Sequence, residues 1–121
     1  IIATGVILGT AKKIAQELEK NGISVTLIDM HTIKPLDTDI LDEICTHKLV
    51  VTMEEHMKAG GLGSAIAEYY AEKEQHPLMQ MFAVEDAYPN ATEYEYLLED
   101  CGLDADTMLK KISEKYEKVG R

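Results

Sequence analysis

Leu49-Val50-Val51-Thr52-Met53-Glu54-Glu55-His56, followed closely by Gly60-Gly61-Leu62-Gly63-Ser64, is the stretch on which the fold of this chain turns. The compact run Leu49 to Met53 has no helical spacing and reads as a strand buried on both faces, as strands inside parallel sheets are. The glycines then form a turn into a helix, expected from about Ser64 to Glu74, which carries Ala65, Ile66, Ala67, Tyr69 and Tyr70 and is closed by Pro77. Strand, turn and helix in that order are one repeat of an alternating α/β layout.

The same alternation extends toward the amino terminus. Asp37 or Thr38 can cap a short helix ending near Thr46. Before it, His31 to Asp37 contains Pro35, which interrupts regular pairing and predicts a structured loop. Ile23 to Met30 is rich in β-branched and aliphatic residues and reads as the second strand. From Val6 to Asn21, the residues Ile7, Leu8, Ala11, Ile14, Ala15 and Leu18 recur at helical spacing, and Asn21-Gly22 supplies the stop. Ile1 to Gly5 reads as a buried strand with no lead-in, so the chain is expected to be a segment of a longer polypeptide.

Toward the carboxyl terminus, Leu78 to Val84 predicts a fourth strand and Glu85 to Thr92 a turn-rich loop. A short helix from Glu93 to Asp100 stops at Gly102, and a last helix runs from about Asp104 to Glu117. The expected fold is one α/β domain over residues 1–121, a three-layer α/β/α sandwich around a mostly parallel, mixed sheet of about five strands with right-handed crossovers.

Composition narrows the function classes. A chain of 121 residues with 45% hydrophobic and 28% charged side chains can bury a core without disulfides or metals. Its 22 acidic against 12 basic residues give a net charge of -10, which repels a phosphate backbone and argues against nucleic-acid binding. Lys110, Lys111, Lys115, Lys118 and Arg121 are the local exception and read as the solvated, dipole-complementing end of a helix. No apolar run approaches the roughly 20 residues that span a bilayer, and no charged-then-apolar leader precedes the first strand, so membrane insertion and secretion are disfavoured. Cys45 and Cys101 lie in helical-looking segments without Cys-x-x-Cys spacing, which suits free thiols in a reducing cytoplasm.

A catalytic constellation is harder to find. Gly5 and Gly9 lack the third glycine of a dinucleotide fingerprint. The Gly60, Gly61, Gly63 and Ser64 turn has two readings: close packing of a helix start against the strand or a neighbouring chain, or backbone N–H groups aimed at a phosphate or carboxylate. Histidines 31, 47, 56 and 76 are scattered without metal-ligand spacing. Adjacent on a strand, Glu54 and Glu55 point to opposite faces and cannot share a substrate as an acid/base pair, although one of them can be buried and hydrogen-bonded. His56 stands near the carboxyl end of its strand, the edge where open α/β sheets bind ligands, and is read as an interface or loop-ordering residue ahead of a catalytic one. Ser64 lacks a nucleophile elbow, and Met53 stands where a receiver domain would need a phosphoacceptor aspartate.

Val50-Val51-Thr52-Met53-Glu54-Glu55-His56 with Gly60-Gly61-Leu62-Gly63-Ser64-Ala65 resembles the signature of the transketolase carboxy-terminal domain. Ile2-Ala3-Thr4-Gly5, Ile33-Lys34-Pro35-Leu36-Asp37, and Leu97-Leu98 leading to Gly102-Leu103-Asp104 agree with it in order and spacing. Asp86-Ala87-Tyr88-Pro89-Asn90-Ala91-Thr92 departs from the family's Asp-x-Phe-Gly-x-Ser-Gly, keeping only the acid and an aromatic. The resemblance implies a parent that binds thiamine diphosphate and a divalent cation such as Mg in its other domains, and transfers a two-carbon ketol unit between sugar phosphates. Deoxyxylulose phosphate synthase and the β subunits of 2-oxo-acid dehydrogenases share the domain. It also implies that this chain binds no cofactor itself, holds no catalytic residue, and helps to assemble a homodimer with the parent's remaining domains or subunit, with Glu54, Glu55, His56 and the Gly60, Gly61, Gly63 and Ser64 turn expected to face that neighbour. A free-standing module holding a small anion on the glycine turn and His56 is the alternative.

Overall fold

A computed structural model describes residues 1–120; Arg121, placed above in the basic tail, lies outside them. The elements run β1 (Ile2–Ala3), a 3-10 turn (Gly5–Ile7), α1 (Leu8–Lys20), β2 (Ile28–Asp29), α2 (Thr38–Glu43), β3 (Leu49–Met57), α3 (Leu62–Ala71), β4 (Leu78–Val84), α4 (Tyr94–Asp100) and α5 (Ala105–Val119). The sheet order is β2-β1-β3-β4. All three strand pairs are parallel, and neighbouring order reverses between β1 and β3.

Side chains alternate across the sheet and seed two cores. Ala3, Val51, Met53 and Phe82 meet α1 and α5 through Ile7, Ala11, Ile14, Leu18, Met108 and Ile112. Ile2 and Val50 meet α2 and α3 through Leu41, Ile44, Leu62, Ile66 and Tyr70. Burying a large aliphatic or aromatic side chain contributes about 1.5–3 kcal/mol, so both faces stabilise the sheet and the three-layer expectation holds. Capping agrees with the local chemistry: the Asp37 carboxylate accepts from the Ile40 amide at 3.2 Å, and that of Asp104 from the Thr107 amide at 2.9 Å.

Four strands are present among the described residues, where about five were expected, and none is antiparallel. The second strand is shorter than its apolar run. Only Ile28–Asp29 join the ladder, opposite Ile2–Ala3, while Ile23, Val25 and Leu27 pack half-buried against the core beneath α1 and α5. Their hydrophobicity serves helix-side packing without strand pairing. The third strand is longer than expected. It passes a register irregularity between Met53 and Met57 and carries Glu54, Glu55 and His56 within it. Consequently α3 begins two residues earlier than the glycine turn suggested. Cys45 and Cys101 are free thiols that fall just past the ends of α2 and α4.

Tyr70 shows how tightly α3 is seated. It is 1% exposed, and its hydroxyl donates to the Leu41 carbonyl at 2.8 Å. Burial pushes its phenol up to about 12, because the phenolate would lose its hydration. The sign follows from proton linkage: the unfolded chain releases this proton near pH 10 while the folded chain keeps it, so stability falls as pH rises from about 10 toward 12. Alkaline denaturation followed by circular dichroism should show this loss, and Tyr70→Phe should flatten it. An unchanged alkaline limb in the variant would count against the assignment.

Candidate functional site

The carboxyl edge of the sheet gathers Glu54, Glu55, His56 and the Gly60 to Ser64 turn. β3 delivers Glu54, Glu55 and His56 there, and Gly60 and Gly61 turn the chain into α3. Gly60 has φ 77°, a left-handed conformation that glycine adopts without the Cβ penalty.

Glu54 is 1% exposed and points to the α3 face. Its two carboxylate oxygens accept separate backbone bonds, one from Leu62 N and one from Gly63 N, each at 2.8 Å. These amides belong to the first turn of α3, where N–H groups have no partner within the helix and the helix dipole is positive. The anion held by the glycine turn is therefore the chain's own carboxylate.

Two glycines make that contact possible. A Cβ on Gly61 would clash with the Glu54 carboxylate and stand 2.6 Å from the Met57 carbonyl oxygen. On Gly63 it would stand 2.7 Å from Met81 Sδ and 2.8 Å from Thr52 Oγ1. Both glycines allow α3 to lie against β3 and β4, which is the close-packing reading of the motif. Ser64 tightens the turn further, its hydroxyl donating to the Lys58 carbonyl at 2.6 Å.

Glu55 and His56 are both exposed to solvent. Glu55 accepts from the Tyr94 hydroxyl at 2.6 Å, and this hydrogen bond, with some burial, raises the phenol above its ordinary range. His56 Nδ1 donates to the Met57 carbonyl at 3.0 Å and lies 4.0 Å from Glu54 Oε1, with 67% of its side chain exposed. The cluster is thus divided: Glu54, Gly61 and Gly63 are interior, while Glu55, His56 and Gly60 are surface.

Several residues at this edge were not singled out from the sequence. Tyr94 is tied to Glu55 across 39 positions, and Lys58 forms an ion pair with Glu85 after β4. Val6, Tyr88, Tyr94 and Tyr96 are large apolar or aromatic side chains left exposed, Tyr88 fully so. A cavity of about 320 Å³ opens between Val84, Glu85, Tyr88, Pro89, Asp100 and Cys101. Tyr88 in the loop after β4 and Tyr94 and Tyr96 at the start of α4 were the one available signal, and neither a loop nor a single helical turn offers a periodicity from which to place them.

Among the described residues, no helix is long and apolar enough to cross a membrane, and no group of three His, Cys, Asp or Glu side chains could hold a metal ion.

Comparison with known proteins agrees with this architecture. A 1-deoxy-D-xylulose-5-phosphate synthase of Carboxydothermus hydrogenoformans is 37% identical over 120 residues, covering 98% of this chain and 19% of that protein. A chain of Methanocaldococcus jannaschii named as a transketolase C-terminal section is 35% identical over 118 residues, covering 98% of this chain and 37% of its own length. Among solved structures, a split-gene transketolase described as an inactive β4 tetramer superposes with a TM-score of 0.83 at 34% identity, over 93% of this chain and 37% of that one. The chain therefore spans between a fifth and two fifths of the relatives it matches. Because the profile of the transketolase C-terminal domain matches residues 1–108, a stretch that includes β3, the glycine turn and α3, the chain belongs to the transketolase C-terminal domain family.

Proposed function

We propose that this chain is the structural and interaction domain of a thiamine-diphosphate-dependent transketolase-type enzyme, whose remaining domains carry out two-carbon ketol transfer between sugar phosphates. The observation that carries the reading is the internal use of the glycine turn. Leu62 N and Gly63 N already serve Glu54, so a diphosphate or a sugar phosphate at this glycine-rich helix start would compete with the chain's own carboxylate for them. A diphosphate such as that of thiamine diphosphate does not fit the residues around this turn, where Glu54, Glu55 and Glu85 oppose a further anion.

Glu55, His56 and Gly60 remain as the solvent-facing part of the edge, beside Val6 and Tyr94. Polar groups flanking exposed aromatic and aliphatic side chains suit a neighbouring domain or subunit, with the parent assembled as a homodimer. The free thiols suit a reducing cytoplasm.

The test is reconstitution. The chain mixed with the parent's other domains should associate with them and be required for full ketol-transfer activity. Glu55→Lys should weaken that association by about tenfold, the effect of reversing one interface charge beside an aromatic anchor. Calorimetry of the isolated chain with sugar phosphates should give no heat. No association, or ketol transfer indifferent to the chain, would overturn the reading, and tight sugar-phosphate binding would favour a free-standing anion-binding module.

A further inference from the structure

The sheet's other feature lies away from the carboxyl edge. β4 is the terminal strand, and its seven residues, Leu78-Met79-Gln80-Met81-Phe82-Ala83-Val84, contain no charge, proline or glycine. The bonds Leu78 N to Lys48 O and Lys58 N to Val84 O turn the backbone groups of the even-numbered residues toward β3. Those of Met79, Met81 and Ala83 therefore point out of the sheet. Among the described residues, one side chain bonds this edge: Lys115 Nζ donates to Met79 O at 2.6 Å. Lys115 also lines a groove of about 330 Å³ with Lys111, Lys118, Glu114 and Gln80. An unpaired apolar edge strand beside a groove of three lysines is unusual on a chain whose net charge is -10.

What fits it is on the same molecule. Glu85 to Tyr96, directly after β4, is exposed throughout and carries Glu85, Asp86, Glu93 and Glu95. We propose that β4 pairs antiparallel with β4 of a second copy about a two-fold axis at Met81, forming one continuous sheet of eight strands. In that register Met79 stands opposite Ala83, and the outward N–H and C=O groups of both strands find partners. Leu78, 53% exposed in one copy, falls opposite Val84.

Charge sets the same register. With Pro77 opposite Glu85 and His76 opposite Asp86, the acidic segment leaving one β4 reaches the amino-terminal end of the other, where Lys115 and Lys118 stand. The contact is isologous, so each pairing occurs twice. Lys115 exchanges the Met79 carbonyl for a carboxylate of the other copy, and Asp86 is the natural acceptor because Glu85 is already held by Lys58. Slipping the strands by two residues would lose both the backbone bonds at the ends and the match of charge.

This contact uses a different edge from the one assigned to the parent's other domains, so the two readings stand or fall separately. Sedimentation of the 121-residue chain should show a dimer that loosens as salt rises. Asp86→Lys and Lys115→Glu should each weaken it by about tenfold, since the two-fold doubles a surface ion pair, and the double variant should recover. By NMR, the amides of Met79, Met81 and Ala83 should gain exchange protection with concentration, while those of Gln80 and Phe82, bonded within the sheet, stay protected throughout. A chain that remains monomeric, with Lys115 merely guarding the edge, overturns the proposal. So does a dimer whose outward amides stay unprotected, or a double variant as weak as its parents.

Discussion

Replacing Glu54 by alanine is expected to cost about 3–5 kcal/mol, the largest single-residue effect at the site, because it removes the charged partner of two buried amides at once. Leu62 N and Gly63 N would be left at a helix start from which packing excludes water. Hydrogen bonds to an ionised acceptor contribute about 1.5–3 kcal/mol each, and the void left by the side chain adds to the loss. A domain's whole stability is of order 5–15 kcal/mol, so the variant should melt roughly 10–20 °C lower. Glu54→Gln should lose less, since it retains one carbonyl oxygen while turning an NH2 group toward an N–H donor. Thermal and urea unfolding of the three proteins is the measurement. If Glu54→Ala melts within a few degrees of the parent, then the carboxylate does not secure α3. Any loss of assembly or activity in a reconstituted enzyme should track this unfolding, because Glu54 faces no neighbour.

Gly61→Ala is expected to cost about 3 kcal/mol for a different reason. Backbone conformation is not the obstacle: Gly61 has φ -89° and ψ -164°, which alanine tolerates. The obstacle is space. The added methyl would stand 2.6 Å from the Met57 carbonyl oxygen, a backbone atom that cannot swing aside, and would overlap the Glu54 carboxylate. Gly9→Ala is the matched control. No atom lies within 4 Å of its new Cβ, and the exposed position in α1 should gain about 0.5 kcal/mol from helix propensity. Opposite signs for one chemical change would isolate the close approach of α3. Combining Gly61→Ala with Glu54→Ala should cost less than the two separately, since both disrupt one contact. Equal losses at Gly9 and Gly61 would mean that packing against Glu54 is not the cause.

Much of the architecture was legible before any coordinates. The spacing of Ala11, Ile14 and Leu18 marks the buried face of α1, and Asp37 stands where a helix needs a side-chain acceptor. The strand at Leu49 to Met53 and the four stretches resembling the transketolase carboxy-terminal domain led to the fold and the family. Three features were not legible. The apolar residues of Ile23 to Leu27 indicate burial but not whether a neighbouring strand is there to pair with them. The extension of β3 to Met57 depends on an irregular register against β4. Tyr94 reaches Glu55 from a loop and helix with no pattern linking them in sequence.

Glu54 and Glu55 mark the boundary most sharply. Alternation along a strand was enough to say that the two carboxylates diverge, because side chains of successive residues leave a pleated backbone on opposite sides. Which of them enters the interior was decided by where α3 lies over the sheet, which in turn depends on Gly61 and Gly63 permitting the approach. By itself the sequence determined the order of elements, the buried faces and the family, since hydrophobic period and turn chemistry act over a few neighbouring residues. Only the tertiary structure decided that the glycine turn holds an internal carboxylate, because that depends on two elements meeting across the sheet, and a buried charge is stable only where its partners already stand.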